Sequence, residues 1–377
     1  MKSTYLTAVS LMLVLAFLVA SCAAPAPAQP APAQPAPTEV AAAAAPPAQE
    51  EPAAPASPPT QKILDTVKAR GKVVCGIHTS LPGFGYLDAD GKNAGFDIDL
   101  CRAVAAAVFN DPNAAEFVPI QAAERGPALQ TREVDMIPRN MTWTSSRDAQ
   151  WGNFTHVMFY DGQGMLVRAA SGFTTLKDLD GATICVTTGT TTEQNLADAF
   201  REGGLTFTPV TFEDTAAVYS AYEDGRCDAA TSDKSQLAAV RSGFANPNDH
   251  VIMDVTMSKE PLTPAVPAGD DQWFDLVKTV MWTLINAEEL GVTSQNVEEM
   301  KSSENVTVRR MLGAEGTFGQ EDLGLSADFA ANVIKGVGNY GEIYDRYMGP
   351  SGKSFTLDRG LNNLWTNGGL IYAPPLR

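Results

Sequence analysis

Between residues 72 and 266 the chain alternates short apolar runs with helix-length amphipathic stretches, and that alternation restricts it to an α/β fold with a largely parallel sheet. Residues 72–77 (KVVCGI) read as a buried strand, because a strand covered on both faces is a near-continuous apolar run. A helix over 61–70 precedes it, with Ile63, Leu64 and Val67 on one face and Gly71 as its stop. Residues 81–86 (LPGFGY) read as a loop, 88–91 as a turn, and a helix runs through 101–108. Further strands are predicted at 116–119, 134–137, 161–167, 182–186, 207–212, 225–233 and 251–254. Helices are predicted near 125–131, from the turn at 187–195 to about 201, and over 216–224 and 271–286. The tail to Arg377 reads as helical with polar loops.

The N-terminus is a processing signal. Lys2 supplies positive charge, an apolar run covers 6–20, and Leu18-Val-Ala-Ser-Cys22 closes it. A basic start, a short apolar core and small residues at the exit describe a secretory signal, and the run is short for a spanning helix. The cysteine after Ala-Ser resembles a bacterial lipobox, which implies cleavage before Cys22 and acylation on it; the alternative is a plain signal peptide with a chance cysteine. Residues 22–60 are almost all Ala, Pro, Gln and Glu. Such a stretch has no apolar bulk for a core, and at roughly 3 Å per residue it would serve as a tether on the order of 100 Å long. Cys75, Cys101, Cys185 and Cys227 remain, an even number that in an exported chain points to two disulfides. Of the three pairings, Cys75–Cys101 with Cys185–Cys227 is favoured, since each pair then lies within one predicted lobe. No CxxC or Cys/His cluster argues for a metal, no cofactor motif stands out, and His78, His156 and His250 are scattered. The formal net charge of −17 argues against nucleic acid as a partner.

Three stretches fall at the ends of predicted strands, where open α/β sheets hold their ligands. In 133–148 (EVDMIPRNMTWTSSRD) a short apolar strand breaks into Asn140, Thr142 and Arg147 among hydroxyl groups. A guanidinium fork with neutral donors around it suits a small carboxylate; the bland alternative is a loop with a solvated Arg. In 187–195 (TTGTTTEQN) a Gly- and Thr-rich turn feeds a helix, with Thr190 and Glu193 at capping-box spacing. Free N–H groups and the helix dipole there favour an anion, unless the turn is only a cap. The strand over 225–233 ends in Asp233, either a surface acid or an anchor for a cation. Taken together, a cation, anion-seeking N–H groups and one carboxylate complement a zwitterion: Arg147 and the threonines for an α-carboxylate, Asp233 for an α-ammonium.

Gly95-Phe-Asp-Ile-Asp-Leu100, Thr142-Trp-Thr-Ser-Ser-Arg147, Thr188-Gly-Thr-Thr-Thr-Glu193 and Gly225-Arg-Cys-Asp228 with Asp233 resemble the polar amino-acid-binding proteins of bacterial ABC importers, solute-binding protein family 3. Asn286-Ala-Glu-Glu-Leu-Gly-Val292, Leu364-Trp-Thr-Asn-Gly-Gly369 and Tyr372-Ala-Pro-Pro375 resemble its general L-amino-acid-binding branch, and the likeness runs from about residue 61 to the end. The resemblance implies a type II periplasmic-binding-protein fold: two α/β lobes joined by two hinge crossings, with a C-terminal helical extension. It divides the folded part into 61–163 (first lobe), 164–260 (second lobe) and 261–377 (return and extension), after a signal at 1–21. It implies that Asn140, Thr142 and Arg147 line the first-lobe side, that Thr191 and Thr192 line the second, that Asp233 anchors the amino group, and that Phe84 belongs to the side-chain wall. It further implies a hinge-bending receptor for free L-amino acids of broad specificity. Such a receptor would be monomeric and non-enzymatic, would dock on a membrane permease, and would be held by its lipid on the periplasmic or extracellular face.

An enzyme of the same fold, a periplasmic cyclohexadienyl or arogenate dehydratase, is the alternative; it needs a general acid against a leaving hydroxyl, and Asn140–Arg147 and Gly189–Thr192 add no carboxylate or His to Asp233, with Glu193 reading as a helix cap. Gly336-Val-Gly-Asn-Tyr-Gly341 matches GxGxxG, but a nucleotide fingerprint follows a strand, and this one follows a predicted helix, so it reads as a helix–helix turn.

Overall fold

The computed structural model describes residues 61–350, 352 and 355–377. The signal, Cys22 and the whole proline-rich stretch to residue 60 lie outside the described residues.

The first sheet forms around Val73–Ile77, every residue of which is buried. It pairs in parallel with Ala115–Pro119, and a parallel bridge from Cys75 to Met136 adds the 134–137 stretch. That stretch was expected to be a full strand. It makes only single bridges, at Met136 and at Ile137 to Ala265, because Pro138 and the polar run after it end the pairing. Ala265–Val266 in turn pairs antiparallel with Asn153–Phe154. The supposed loop after His78 is a small antiparallel sheet of Ser80–Leu81, Gly85–Leu87 and Asn93–Ala94. Its Gly- and Asp-rich turns masked that pairing in the sequence. Gly95, at φ 131°, brings its α-carbon so close to Phe84 that an added Cβ would lie 2.1 Å from the Phe84 carbonyl oxygen. The helix after it starts at Phe96, not Cys101, and runs to Phe109 with its whole first turn buried.

The second sheet has five strands in the order Phe207–Phe212, Ala182–Thr187, Ala229–Asp233, Gln163–Arg168, His250–Ile252. The first three are parallel, and the last two run against Ala229–Asp233 and Gln163–Arg168 respectively. The chain crosses between the sheets twice, along Phe159–Asp161 and back along Glu260–Leu262, and these segments pair antiparallel with Glu260 opposite Asp161.

The C-terminal segment is built into the first sheet's core. Asp271–Glu289 and Phe329–Val337 pack on Phe96–Phe109, burying Trp273, Phe329 and Ile334. Tyr340 sits edge-on to Phe96 at 5.8 Å, and its hydroxyl donates to the Met158 carbonyl at 2.9 Å. The GxGxxG run is the junction between Phe329–Val337 and Tyr340–Tyr347, with Asn339 capping the second helix. Disulfides join Cys75 to Cys101, strand to helix beside the first sheet, and Cys185 to Cys227 in the second.

Candidate ligand-binding site

The two crossings bring the carboxyl ends of both sheets face to face around one cavity. Asn140, Thr142 and Arg147 line it from the first side; Thr191, Thr192 and Asp233 line it from the second. Six of the seven residues expected to touch a ligand thus share one space. Phe84 does not border it. Its ring is buried between Phe96 (6.4 Å) and Phe159 (5.2 Å) and faces a separate, mostly apolar pocket behind Asn140. Its expected place on the side-chain wall is corrected accordingly: Gly95 draws the loop in so tightly that the phenyl goes into the core.

Arg147 is held by its own helix, Ser145–Gln150. Thr144 caps that helix by accepting from the Arg147 backbone N–H at 3.2 Å, and Arg147 Nη1 donates to the Thr142 carbonyl at 3.0 Å. The guanidinium lies 4.7 Å from the Trp151 ring centre. Burial lowers its pKa to about 10, against the opposing pull of Glu260 and Asp233. Opposite it, Asp233 ends its strand almost wholly buried, and its Oδ1 has no partner in the protein. Burial pushes its carboxyl well above the usual range, and the neighbouring carboxyls of Asp161 and Glu260 add to this; Arg125 and Arg147 oppose it.

The threonine turn is a helix N-terminus, as its spacing suggested, with one difference. Thr190 Oγ1 accepts from the Glu193 N–H at 3.1 Å, but Glu193 reaches past the cap residue to the Gly189 N–H at 2.9 Å. The N–H groups of Thr191 and Thr192, in the first turn of Thr191–Glu202, have no carbonyl one turn back to bond. The hydroxyls of Thr142 and Thr191 were expected to donate to a carboxylate. Both instead donate to Glu260 Oε2, Thr191 at 3.1 Å, and the two hydroxyls stand 3.3 Å apart across the cleft. Asn195 Nδ2 donates to the other oxygen of Glu260 at 2.8 Å. Asn140 Nδ2 likewise crosses the cleft to Gln236 Oε1 at 3.3 Å, and its Oδ1 is buried without a partner. The two sides are therefore in contact, a closed arrangement latched by Glu260 on the return crossing.

Sequence reasoning missed Glu260, Arg125, Arg139 and His78. Glu260 carried no signal, since an acid beside Pro261 looks like a loop residue. Arg125 carried one: it opens the helix Arg125–Gln130, where the dipole disfavours a cation. Arg139 sits in the same run as Arg147, next to Asn140. Both line the cavity almost fully buried. Burial, then Arg147 and Arg139, hold Arg125 well below its ordinary pKa, and burial lowers Arg139 to about 10. His78, also on the wall, accepts from the Ser80 N–H through Nδ1 at 3.0 Å.

Residues 73–350 match the family model of the bacterial extracellular solute-binding proteins, family 3. The general L-amino acid-binding periplasmic protein AapJ of Rhizobium johnstonii is 52% identical over 316 residues, covering 83% of this chain and 92% of the relative. The glutamate/glutamine/aspartate/asparagine-binding protein BztA of Rhodobacter capsulatus is 48% identical over 316 residues, 83% of this chain and 93% of the relative. Among solved structures, an ABC transporter periplasmic binding protein from Brucella ovis with glutathione bound superposes with a TM-score of 0.81 at 47% identity, covering 84% of this chain and 100% of that one. Two sheets joined by a paired double crossing, with a cleft at their carboxyl ends, make up the type II periplasmic-binding-protein fold. The chain belongs to the bacterial extracellular solute-binding proteins, family 3.

Proposed function

We propose that this protein is the extracytoplasmic substrate-binding component of an ABC importer for L-amino acids. One observation carries the reading: a buried guanidinium without an ion-pair partner, Arg147, and a buried carboxylate with a free oxygen, Asp233, line one cavity from opposite sides. Arg147 and the N–H groups of Thr191 and Thr192 take the α-carboxylate, while Asp233 and the orphaned Oδ1 of Asn140 take the α-ammonium. Thr142 orients the site through Glu260 and Arg147. Both ends of the ligand are fixed by anchors common to every amino acid, so specificity is broad. Closure excludes water and strengthens the charge pairs, with the lobes being 61–163 plus the return from 261, and 164–260. The mature chain is exported, acylated at Cys22 and delivers ligand to a permease as a monomer. A dehydratase would need Asp233 as a proton donor, but the ammonium of the ligand claims that group, and the relatives named above are binding proteins.

Calorimetric titration of the mature protein with a panel of L-amino acids and glutathione tests this. Saturable heats with several of the amino acids at 1:1 stoichiometry are expected; flat titrations across the panel would end the proposal. Incorporation of labelled fatty acid into the wild type but not into Cys22→Ala tests the anchor.

A further inference from the structure

The first of the two crossings is gripped from both sides, at neighbouring residues. Tyr160 lies opposite Pro261 in the paired crossings. Pro261 has no N–H to give and its carbonyl accepts from the Trp143 N–H at 2.9 Å, while Tyr160 turns both its main-chain groups the other way. Asn362, 202 positions further on and almost wholly buried, takes both. Its Oδ1 accepts from the Tyr160 N–H at 2.6 Å, and its Nδ2 donates to the Tyr160 carbonyl at 3.0 Å. One side-chain amide thus stands in for the peptide of a third strand. Asn362 is itself fixed to the first side. The Arg359 guanidinium donates through Nη1 and Nη2 to the Glu288 carboxylate, at 2.6 and 3.1 Å, lies over the Tyr340 and Tyr344 rings, and reaches the Asn362 carbonyl through Nε at 3.1 Å. Glu288 belongs to Asp271–Glu289, the long helix packed on Phe96–Phe109. From the next residue on, the second side takes over the crossing. Asp161 Oδ2 accepts from the Ser235 N–H at 3.2 Å, and the Gly162 carbonyl accepts from the Lys234 N–H at 2.8 Å.

A hinge bends between the last residue held by one body and the first held by the other. Here those residues are adjacent, so rotation is confined to the few dihedrals between Tyr160 and Gly162. Both halves of the Asn362 clamp belong to the first side, so opening the cleft does not have to break it. A short pivot leaves the open form few conformations to give up on closing, which is preorganisation. We propose that Asn362 is a positioning residue for ligand binding: by clamping Tyr160 it fixes the pivot at Asp161, and it strengthens the binding of every amino acid by the same factor without touching any of them. The inference rests on the amino-acid reading above and adds to it a residue outside the cavity, in the C-terminal segment, that the charge anchors do not reveal.

Asn362→Leu removes both bonds at nearly constant volume. L-Leucine and L-glutamine are titrated into wild type and variant by calorimetry after bound ligand is stripped, and both proteins are unfolded in urea without ligand. Freeing one residue's backbone weakens binding by roughly tenfold. The variant's Kd therefore rises at least fivefold for both amino acids, and the ratio of the two Kd values stays within threefold of wild type. A purely structural amide would lower the urea midpoint and leave Kd where it was, so a Kd shift under fivefold overturns the proposal. A ratio that moves by more than threefold also overturns it, because that places the effect in the pocket. Amide hydrogen exchange on the wild type carries the test if the variant fails to fold. The Tyr160 N–H keeps its protection within tenfold with and without bound ligand; a larger change means that the clamp opens with the cleft, and the proposal falls. If neither amino acid binds the wild type, the amino-acid reading fails and the inference falls with it, a result distinct from binding that Asn362→Leu leaves unchanged.

Discussion

Replacing Asp233 with Asn isolates the ammonium anchor. The amide keeps the shape of the carboxyl and removes only its charge. In the ligand-free protein that change relieves a strain: the carboxylate is fully buried, stands near Asp161 and Glu260, and lacks a partner for one oxygen. Stability at neutral pH should therefore hold or rise. Binding should suffer, because truncating one member of a buried charge pair costs about 3–5 kcal/mol. The amide oxygen still accepts one neutral hydrogen bond, which recovers about 1 kcal/mol. The remaining ~2–4 kcal/mol corresponds to roughly 30- to 700-fold in Kd at 1.4 kcal/mol per decade. Calorimetry with L-leucine at pH 7.5, beside thermal unfolding of both proteins with and without ligand, reads both effects. A Kd within fivefold of wild type, with the fold intact, would refute the reasoning. So would a large loss of stability without ligand, since that would make Asp233 a structural acid.

Other groups make separate predictions. Glu260→Gln weakens the latch between Thr142 and Thr191, so ligand affinity drops by about 10- to 100-fold, the worth of one charged hydrogen bond, as read by calorimetry. Cys185→Ser with Cys227→Ser opens a 42-residue loop and lowers stability by ~4 kcal/mol in urea unfolding. Burial raises the Asp97 carboxyl from 3.8 to about 7, so the folded state holds a proton that the unfolded state has released. This group's stabilising effect is complete below pH ~4 and is lost as pH rises through 7. Asp97→Asn should flatten the fall in unfolding free energy between pH 5 and pH 8, read by urea titration, by up to ~3 kcal/mol, and an unchanged slope would count against it.

Much of this was legible because period and chemistry coincided. KVVCGI and ATICV announced buried parallel strands, and Gly71 and Thr190 marked helix ends where the structure has them. Arg147, Thr191 and Asp233 could be found because strand ends are where this fold exposes side chains to a ligand. The misses have two physical causes. Phe84 was misplaced because Gly95 lets the two backbone segments pack so closely that an added Cβ would lie 2.1 Å from the Phe84 carbonyl oxygen, and periodicity cannot express a close backbone contact. Glu260, Arg125, Arg139 and His78 reach the cavity through long-range packing: Glu260 touches Thr142 across 118 positions. Nothing local in a sequence distinguishes such a residue from a solvated charge. The exception is Arg125, whose place at a helix start was electrostatically wrong for a surface cation.

The central claim is that both charged ends of one amino acid are held at once, and editing the ligand tests it without touching the protein. Wild-type protein is titrated with L-leucine, L-leucinamide and 4-methylpentanoate, which in turn offer both ends, the ammonium alone and the carboxylate alone. The account predicts that each single-ended compound binds at least 100-fold more weakly than L-leucine, since either leaves Arg147 or Asp233 buried and unpaired. If either binds within tenfold of L-leucine, Arg147 and Asp233 do not act as a pair on one molecule.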